Sequence, residues 1–224
     1  MSIFLRRTLA VFRKDLRSEL RTRYTLNAIL LFVLTTVMMI AFATRGEIVN
    51  DGVASGLLWV IMFFSAMTGL ARAFVAEEER GTSLLLRLTS PPAAVYFGKL
   101  LYNILMTLLL NFAGVTLFFI FVGGVAVGSP GLFLLVIGLA SLATAASTTL
   151  ISAIIARSRS RGALFPVLSF PIMLPLVLPG VELTLLALGG ADMAQAQNNL
   201  QLMVSYLVVL TTVSWLLFDF VWKE

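Results

Sequence analysis

The sequence predicts an all-α membrane protein: six spanning helices, an amphipathic helix ahead of them, and a short helix between the second and third spans. Three observations lead there. Of 224 residues, 59% are hydrophobic and 12% charged, with a mean hydropathy of +1.00, against about half and a quarter in soluble domains. The apolar residues sit in long blocks rather than in the alternation of a barrel strand. Lys and Arg fall between the blocks, on one side of the topology that the blocks imply. A span needs roughly 20 apolar residues, so six of them fill residues 1–224 as a single transmembrane domain and leave no room for a soluble one of ordinary size.

Residues 1–23 come first. Leu5, Leu9, Phe12, Leu16 and Leu20 recur at helical spacing, opposed by Arg6, Arg7, Arg13, Lys14, Arg17, Arg21 and Arg23. That pattern suits a helix lying on the membrane surface, apolar face down and cations near anionic headgroups; read more blandly, it is a charged topology signal. The first apolar block begins near Thr25 and is long enough to remain in the bilayer, so a cleavable signal peptide is not expected. The spans are expected at about 25–43, 53–74, 100–122, 132–156, 162–180 and 200–222.

Orientation follows from charge. With the N-terminus inside, the seven cations before the first span, Arg72, Arg80, Arg87, Lys99, Arg157, Arg159, Arg161 and Lys223 all lie on the inner side. Arg45 falls on the other, beside Glu47, Asp51, Glu182 and Asp192 in short outer loops. The positive-inside rule then gives cytoplasmic N- and C-termini. It also accounts for the pI near 10.1 without nucleic acid.

The loop joining spans two and three reads Glu77-Glu78-Glu79-Arg80-Gly81-Thr82-Ser83-Leu84-Leu85-Leu86-Arg87-Leu88-Thr89-Ser90-Pro91-Pro92. Thr82 is a candidate cap for a short helix. Leu84, Leu85 and Leu88 share one face of it, and the two prolines stop it. In span five, Pro166, Pro171, Pro175 and Pro179 each remove a backbone donor, which predicts a bent or broken helix; it would either face a partner subunit or pathway or be a static kink used for packing. Asn103, Thr107 and Asn111 in span three, and Ser141, Ala145 and Thr149 in span four with Thr144, Thr148 and Ser152 beside them, read as helix-packing rows. Trp59, Phe63 and Phe64 are of a kind that stacks on a flat macrocycle, or faces lipid and neighbouring helices. Tyr24, Tyr96, Tyr102 and Tyr206 sit near span ends, as interfacial anchors do.

Catalytic chemistry is missing. The chain has no Cys and no His, hence no disulfide, zinc triad or imidazole base. No phosphate-binding loop or paired intramembrane carboxylates occur. The sequence describes no enzyme, no metal site and no bound cofactor.

Two stretches carry a family resemblance. Glu-Arg-Gly-Thr at 79–82, the following Leu-Leu pair, the Thr-x-Pro turn and Gly98-Lys99 at the entry to a span resemble the coupling-helix region of type-2 ABC export permeases. Within that superfamily, the Arg161-Gly162 entry and the Pro-x-x-x-Pro-Leu run at 171–176 resemble the heme exporter protein B (CcmB) family of cytochrome c maturation. The run from Lys14 to Arg23 and Leu30-Leu31-Phe32 do so too. The likeness covers nearly the whole chain.

The resemblance implies a permease subunit in a bacterial cytoplasmic (inner) membrane. Glu77, Glu79, Arg80, Gly81, Thr82, Leu84, Leu85 and Leu88 would contact an ATP-binding cassette subunit that holds ATP and Mg. It also implies a heme-handling membrane subunit, a small membrane subunit, a periplasmic heme chaperone and heme as cargo. One chain supplies one coupling helix, so a paired ATPase implies a second permease copy or another membrane partner. Heme iron is usually held by His, Cys, Met or Tyr; with the first two absent, its axial ligands are expected from a partner. The residues alone leave open an exporter of another amphipathic or lipid-linked molecule, and a membrane scaffold that transports nothing.

Overall fold

The computed structural model describes residues 3–70, 72–156 and 161–223; Arg157 and Arg159 lie outside them. In chain order the helices are α1 (Ile3–Thr22), α2 (Tyr24–Thr44), α3 (Asp51–Gly69), α4 (Arg72–Glu79), α5 (Ser83–Thr89), α6 (Pro92–Phe121), α7 (Pro130–Ile155), α8 (Arg161–Leu188) and α9 (Met193–Lys223). No strand occurs among the described residues. Six helices are long and apolar enough to cross a membrane: α2, α3 together with α4, α6, α7, and most of α8 and of α9. The fold class is the one the composition predicts.

The most buried span is α7, packed by α6, α8 and α9. Its sequence explains its place. Ala140, Ala143, Ala145, Ala146 and the interleaved Ser and Thr residues carry little side chain, so three neighbours approach closely. Ser141 and Thr149 donate their hydroxyls to carbonyls of their own helix, at Ile137 and Ala145. Their oxygens then accept from α6: Asn111 Nδ2 reaches Ser141 Oγ at 2.9 Å, and Asn103 Nδ2 reaches Thr149 Oγ1 at 2.7 Å. The polar rows of spans three and four are thus helix-packing rows.

Trp59 of α3 is buried against α8. Its Nε1 donates to Thr184 Oγ1 at 3.0 Å, and its ring fills the notch above Gly180, where a Cβ would lie 1.9 Å from Cζ2. Phe63 packs edge-on against Phe64 and Phe170, while Phe64 is exposed. Trp59 therefore packs α3 against α8.

Of the bent or broken helix expected at Pro166, Pro171, Pro175 and Pro179, the broken form does not occur: α8 runs through all four as one helix. Each proline removes a single backbone hydrogen bond, and α7, α3 and α9 hold the helix along its length. The Tyr206 hydroxyl of α9 also donates to the Ile172 carbonyl, between two of the prolines. Continuing to Leu188, α8 places Glu182 on a helix and not in an outer loop. Similarly, α6 starts at Pro92, not near Leu100. Tyr96 and Tyr102 are enclosed by protein, not set at the lipid surface; Tyr24 alone of the four is well exposed. Met62, Met106, Met173 and Met203 are buried among the helices.

One core cluster joins α2, α3, α8 and the loop-facing ends of α6 and α7. A second lies at the opposite end, around Phe74, Tyr96, Ile155, Phe165, Phe218 and Trp222. Gly180→Ala should force the Trp59 ring out of its notch and destabilise the bundle by about 1–3 kcal/mol. Thermal unfolding in detergent measures this, and Trp59→Phe in the same chain should recover part of the loss.

Candidate functional site

The site forms at the end of the bundle where α1, α4, α5 and the first turns of α6 meet. Gly81 turns the chain from α4 to α5 with φ +67, a left-handed conformation that glycine adopts without penalty. Thr82 takes the cap position of α5, but its side chain does not cap it. The hydroxyl instead donates back to Glu77 Oε2 at 2.5 Å, because a buried carboxylate competes better for it than a helix end open to water. At the other end, Ser90 closes α5 and Pro92 takes the first position of α6, where a missing N–H is no loss.

The leucines of α5 divide. Leu86 points inward and is 8% exposed. Leu84, Leu85 and Leu88 are 64%, 63% and 77% exposed and form one outward face. Arg87 lies over the Trp222 ring at 5.1 Å. Behind α5, Trp222 stacks on Phe218, which meets Tyr96 and Phe74. A continuous aromatic cluster thus links α5 to α4, α6 and α9.

Beside that cluster is a buried ion network. Lys99 of α6 is 1% exposed. Its ammonium donates to Asp15 Oδ2 at 3.0 Å, to Glu77 Oε1 at 3.0 Å and to the Ala73 carbonyl at 2.7 Å, using all three of its donors. It also lies 5.1 Å from the Phe74 ring centre. Lys14 pairs with the same Glu77 oxygen and, at 3.3 Å, with Asp15. Two lysines thus face two carboxylates, and each buried charge has a partner.

This places Glu77 differently from the sequence expectation. It is 6% exposed and lies in the interior, tying α4 to α1 and α6, so it belongs to no docking surface. Glu79 and Arg80 do lie at the surface, and Arg80 Nη1 donates to Ser18 Oγ at 2.9 Å.

The structure adds a protein-facing side to α1: Thr8, Val11 and Glu19 are buried and Asp15 is partly covered, while Leu5 and Leu20 of the leucine stripe are exposed. Val11 and Thr8 sit against Gly98, where a Cβ would fall 2.7 Å from Val11 Cβ. Glu19 reaches past the end of its helix to accept from Leu26 N at 2.9 Å. It thereby caps α2, whose own cap residue, Arg23, makes no side-chain bond. Sequence reasoning missed Lys14, Asp15, Glu19, Lys99 and Trp222 as site residues. A legible signal existed in two places: a lone lysine entering an apolar span, and acids at helical spacing inside a basic helix.

Lys99→Met would leave Asp15 and Glu77 with Lys14 as their remaining lysine. Removing one partner of a buried pair costs about 3–5 kcal/mol. The expected result is a lower unfolding temperature in detergent and faster trypsin cleavage at the exposed arginines of α1. An unchanged cleavage rate would show that the network does not hold α1 in place.

Comparison with curated proteins finds no match. A protein-family model described as CcmB protein matches residues 6–220, nearly the whole chain, including α1, the α4–α5 turn and all six long apolar helices. The chain belongs to the CcmB family, the heme exporter permeases of cytochrome c maturation.

Proposed function

We propose that the chain is the membrane subunit of an ATP-driven complex in which α5 docks a separate ATP-binding cassette subunit. The observation that carries this reading is the division of α5. Three leucines face outward from a helix too short to be stable alone, while Leu86 and the Arg87–Trp222 contact fix it to the bundle. A short helix so anchored transmits force instead of bending. Motion of the ATPase would pass through Leu86 and Arg87 into Trp222 and Phe218 of α9, and through Tyr96 and Phe74 into α6 and α4.

In this reading the basic end is cytoplasmic, both termini lie inside, and the membrane is a bacterial inner membrane. The asymmetry of the cations supports it. The work done on the outer side is heme movement, or release of a heme-loaded periplasmic chaperone, together with a heme-handling membrane subunit and a small membrane subunit. Lacking His and Cys, the chain would supply apolar walls and movement, with heme iron ligated by a partner.

Replacing Leu85 and Leu88 with Asp should abolish co-purification of the ATPase while the permease still inserts. Retained binding and ATP hydrolysis coupled to the complex would sink the assignment. Spin labels placed along residues 5–20 should show a helical period in membrane depth, with Leu5 and Leu20 deepest; a uniform aqueous signal would remove α1 from the membrane surface.

A further inference from the structure

Packing tells the sides of α1 apart. From Phe4, whose ring meets Phe97 edge-on, to Glu19, which accepts from the Tyr102 hydroxyl at 3.3 Å, α1 advances about 22 Å. On α6 the same contacts climb only from Phe97 to Tyr102, about 7.5 Å. Hence α1 crosses α6 steeply and lies across the spans. One side meets α6 itself: Thr8 and Val11 sit at Gly98, and Asp15 takes Lys99. A second side, with Phe12 and Leu16, packs on the cluster of Tyr102 and Met106 farther down the span. A third meets the end of α4 and the turn after it: Lys14 pairs with Glu77, and Ser18 accepts from Arg80.

The fourth side is a ridge of arginines. At about 100° per residue, Arg6, Arg13, Arg17 and Arg21 fall within about 80° of one another, roughly opposite the side that meets α6. All four are exposed, and none has an ion pair or hydrogen bond among the described residues. The acids of α1 cannot serve them, because Asp15 and Glu19 lie on the α6 side. Arg13, Arg17 and Arg21 stand one turn apart, a spacing at which like charges repel, so negative charge from outside the helix stabilises the ridge. The other sides say where that charge lies. With α6 behind, the apolar side turned down the span and α4 above, the ridge looks outward along the membrane plane. The span α2 begins at Tyr24, directly after α1 and Arg23, which puts the ridge at headgroup level.

We propose that this ridge binds anionic phospholipids of the surrounding leaflet, the guanidinium forks holding their phosphates. Of the seven cations ahead of the first span, these four form the lipid edge, while Lys14 is spent on Glu77 inside the protein. The proposal depends on neither the ATPase nor heme.

Native mass spectrometry of the purified full chain with phosphatidylglycerol, phosphatidylcholine or phosphatidylethanolamine tests this. An arginine near an anionic surface contributes about fivefold in affinity. A phosphatidylglycerol headgroup held by two of them should therefore bind at least about tenfold more tightly than either zwitterionic lipid, by a margin that shrinks as salt rises. The triple variant Arg13→Gln, Arg17→Gln, Arg21→Gln should lose most of that margin without a lower unfolding temperature, since these side chains hold nothing in the fold. Lysine at the same three positions should keep most of it. Equal binding of the three lipids by the unaltered chain, or a margin that survives in the glutamine variant, would overturn the proposal. A second arm separates lipid from protein as the occupant. In nanodiscs, trypsin should cut at Arg13, Arg17 and Arg21 several-fold more slowly in phosphatidylglycerol than in phosphatidylcholine. Protection in pure phosphatidylcholine that arises only in the assembled complex would assign the ridge to a partner subunit and overturn the lipid.

Discussion

A lysine ammonium buried at the entry of a spanning helix sets the arrangement around it. Lys99 cannot stay charged in an apolar interior unless its donors are met and its charge is balanced. Asp15, Glu77 and the Ala73 carbonyl do this, and they come from α1 and α4. One side chain thus forces a surface helix, a spanning helix and the helix before the α4–α5 turn to meet. Gly98, its neighbour in sequence, removes the side chain that would block α1 from arriving. The Gly-Lys pair is one device: one residue opens the contact and the other fixes its position.

That arrangement leaves α5 held at its root and free on its face. Glu77 draws the Thr82 hydroxyl inward, so the start of α5 is tied to the ion network. Its middle is tied to the aromatic cluster through Leu86 and Arg87. Polar and aromatic anchoring meet at Phe74, whose ring contacts both Lys99 and Phe218. A displacement of α5 relative to the bundle cannot be absorbed locally without breaking one of the two.

Deeper in the bundle the constraint is different. Among apolar helices in an apolar solvent, burial gives little drive for association, and close packing with hydrogen bonding takes its place. The small residues of α7 and the Asn–Thr and Asn–Ser bonds to α6 supply it. The Trp59–Gly180 contact does the same between α3 and α8. Neighbour packing also explains why α8 tolerates four prolines.

Some of this was written in the chain itself. Block length fixes the number of spans, because bilayer thickness fixes helix length. Leucine spacing fixes α1 and the outward face of α5, because helical period is local. The rows of Ser, Thr and Asn announce helix contacts, and Gly-Lys, Glu-Arg-Gly-Thr and the proline run announce the family. What tertiary structure decided were the pairings. Glu77 and Glu79 are indistinguishable by type and lie two apart, yet one is buried on Lys99 and the other is exposed; which helix face turns inward depends on α1 and α6, whose Lys14 and Lys99 are 63 and 22 residues away from Glu77. Thr82 has the chemistry of a cap and spends it on a buried carboxylate, since the stronger acceptor lies across the turn. Local sequence determines which elements form, because their energetics involve neighbours in the chain. Which charges meet depends on distances that exist only after the helices have packed.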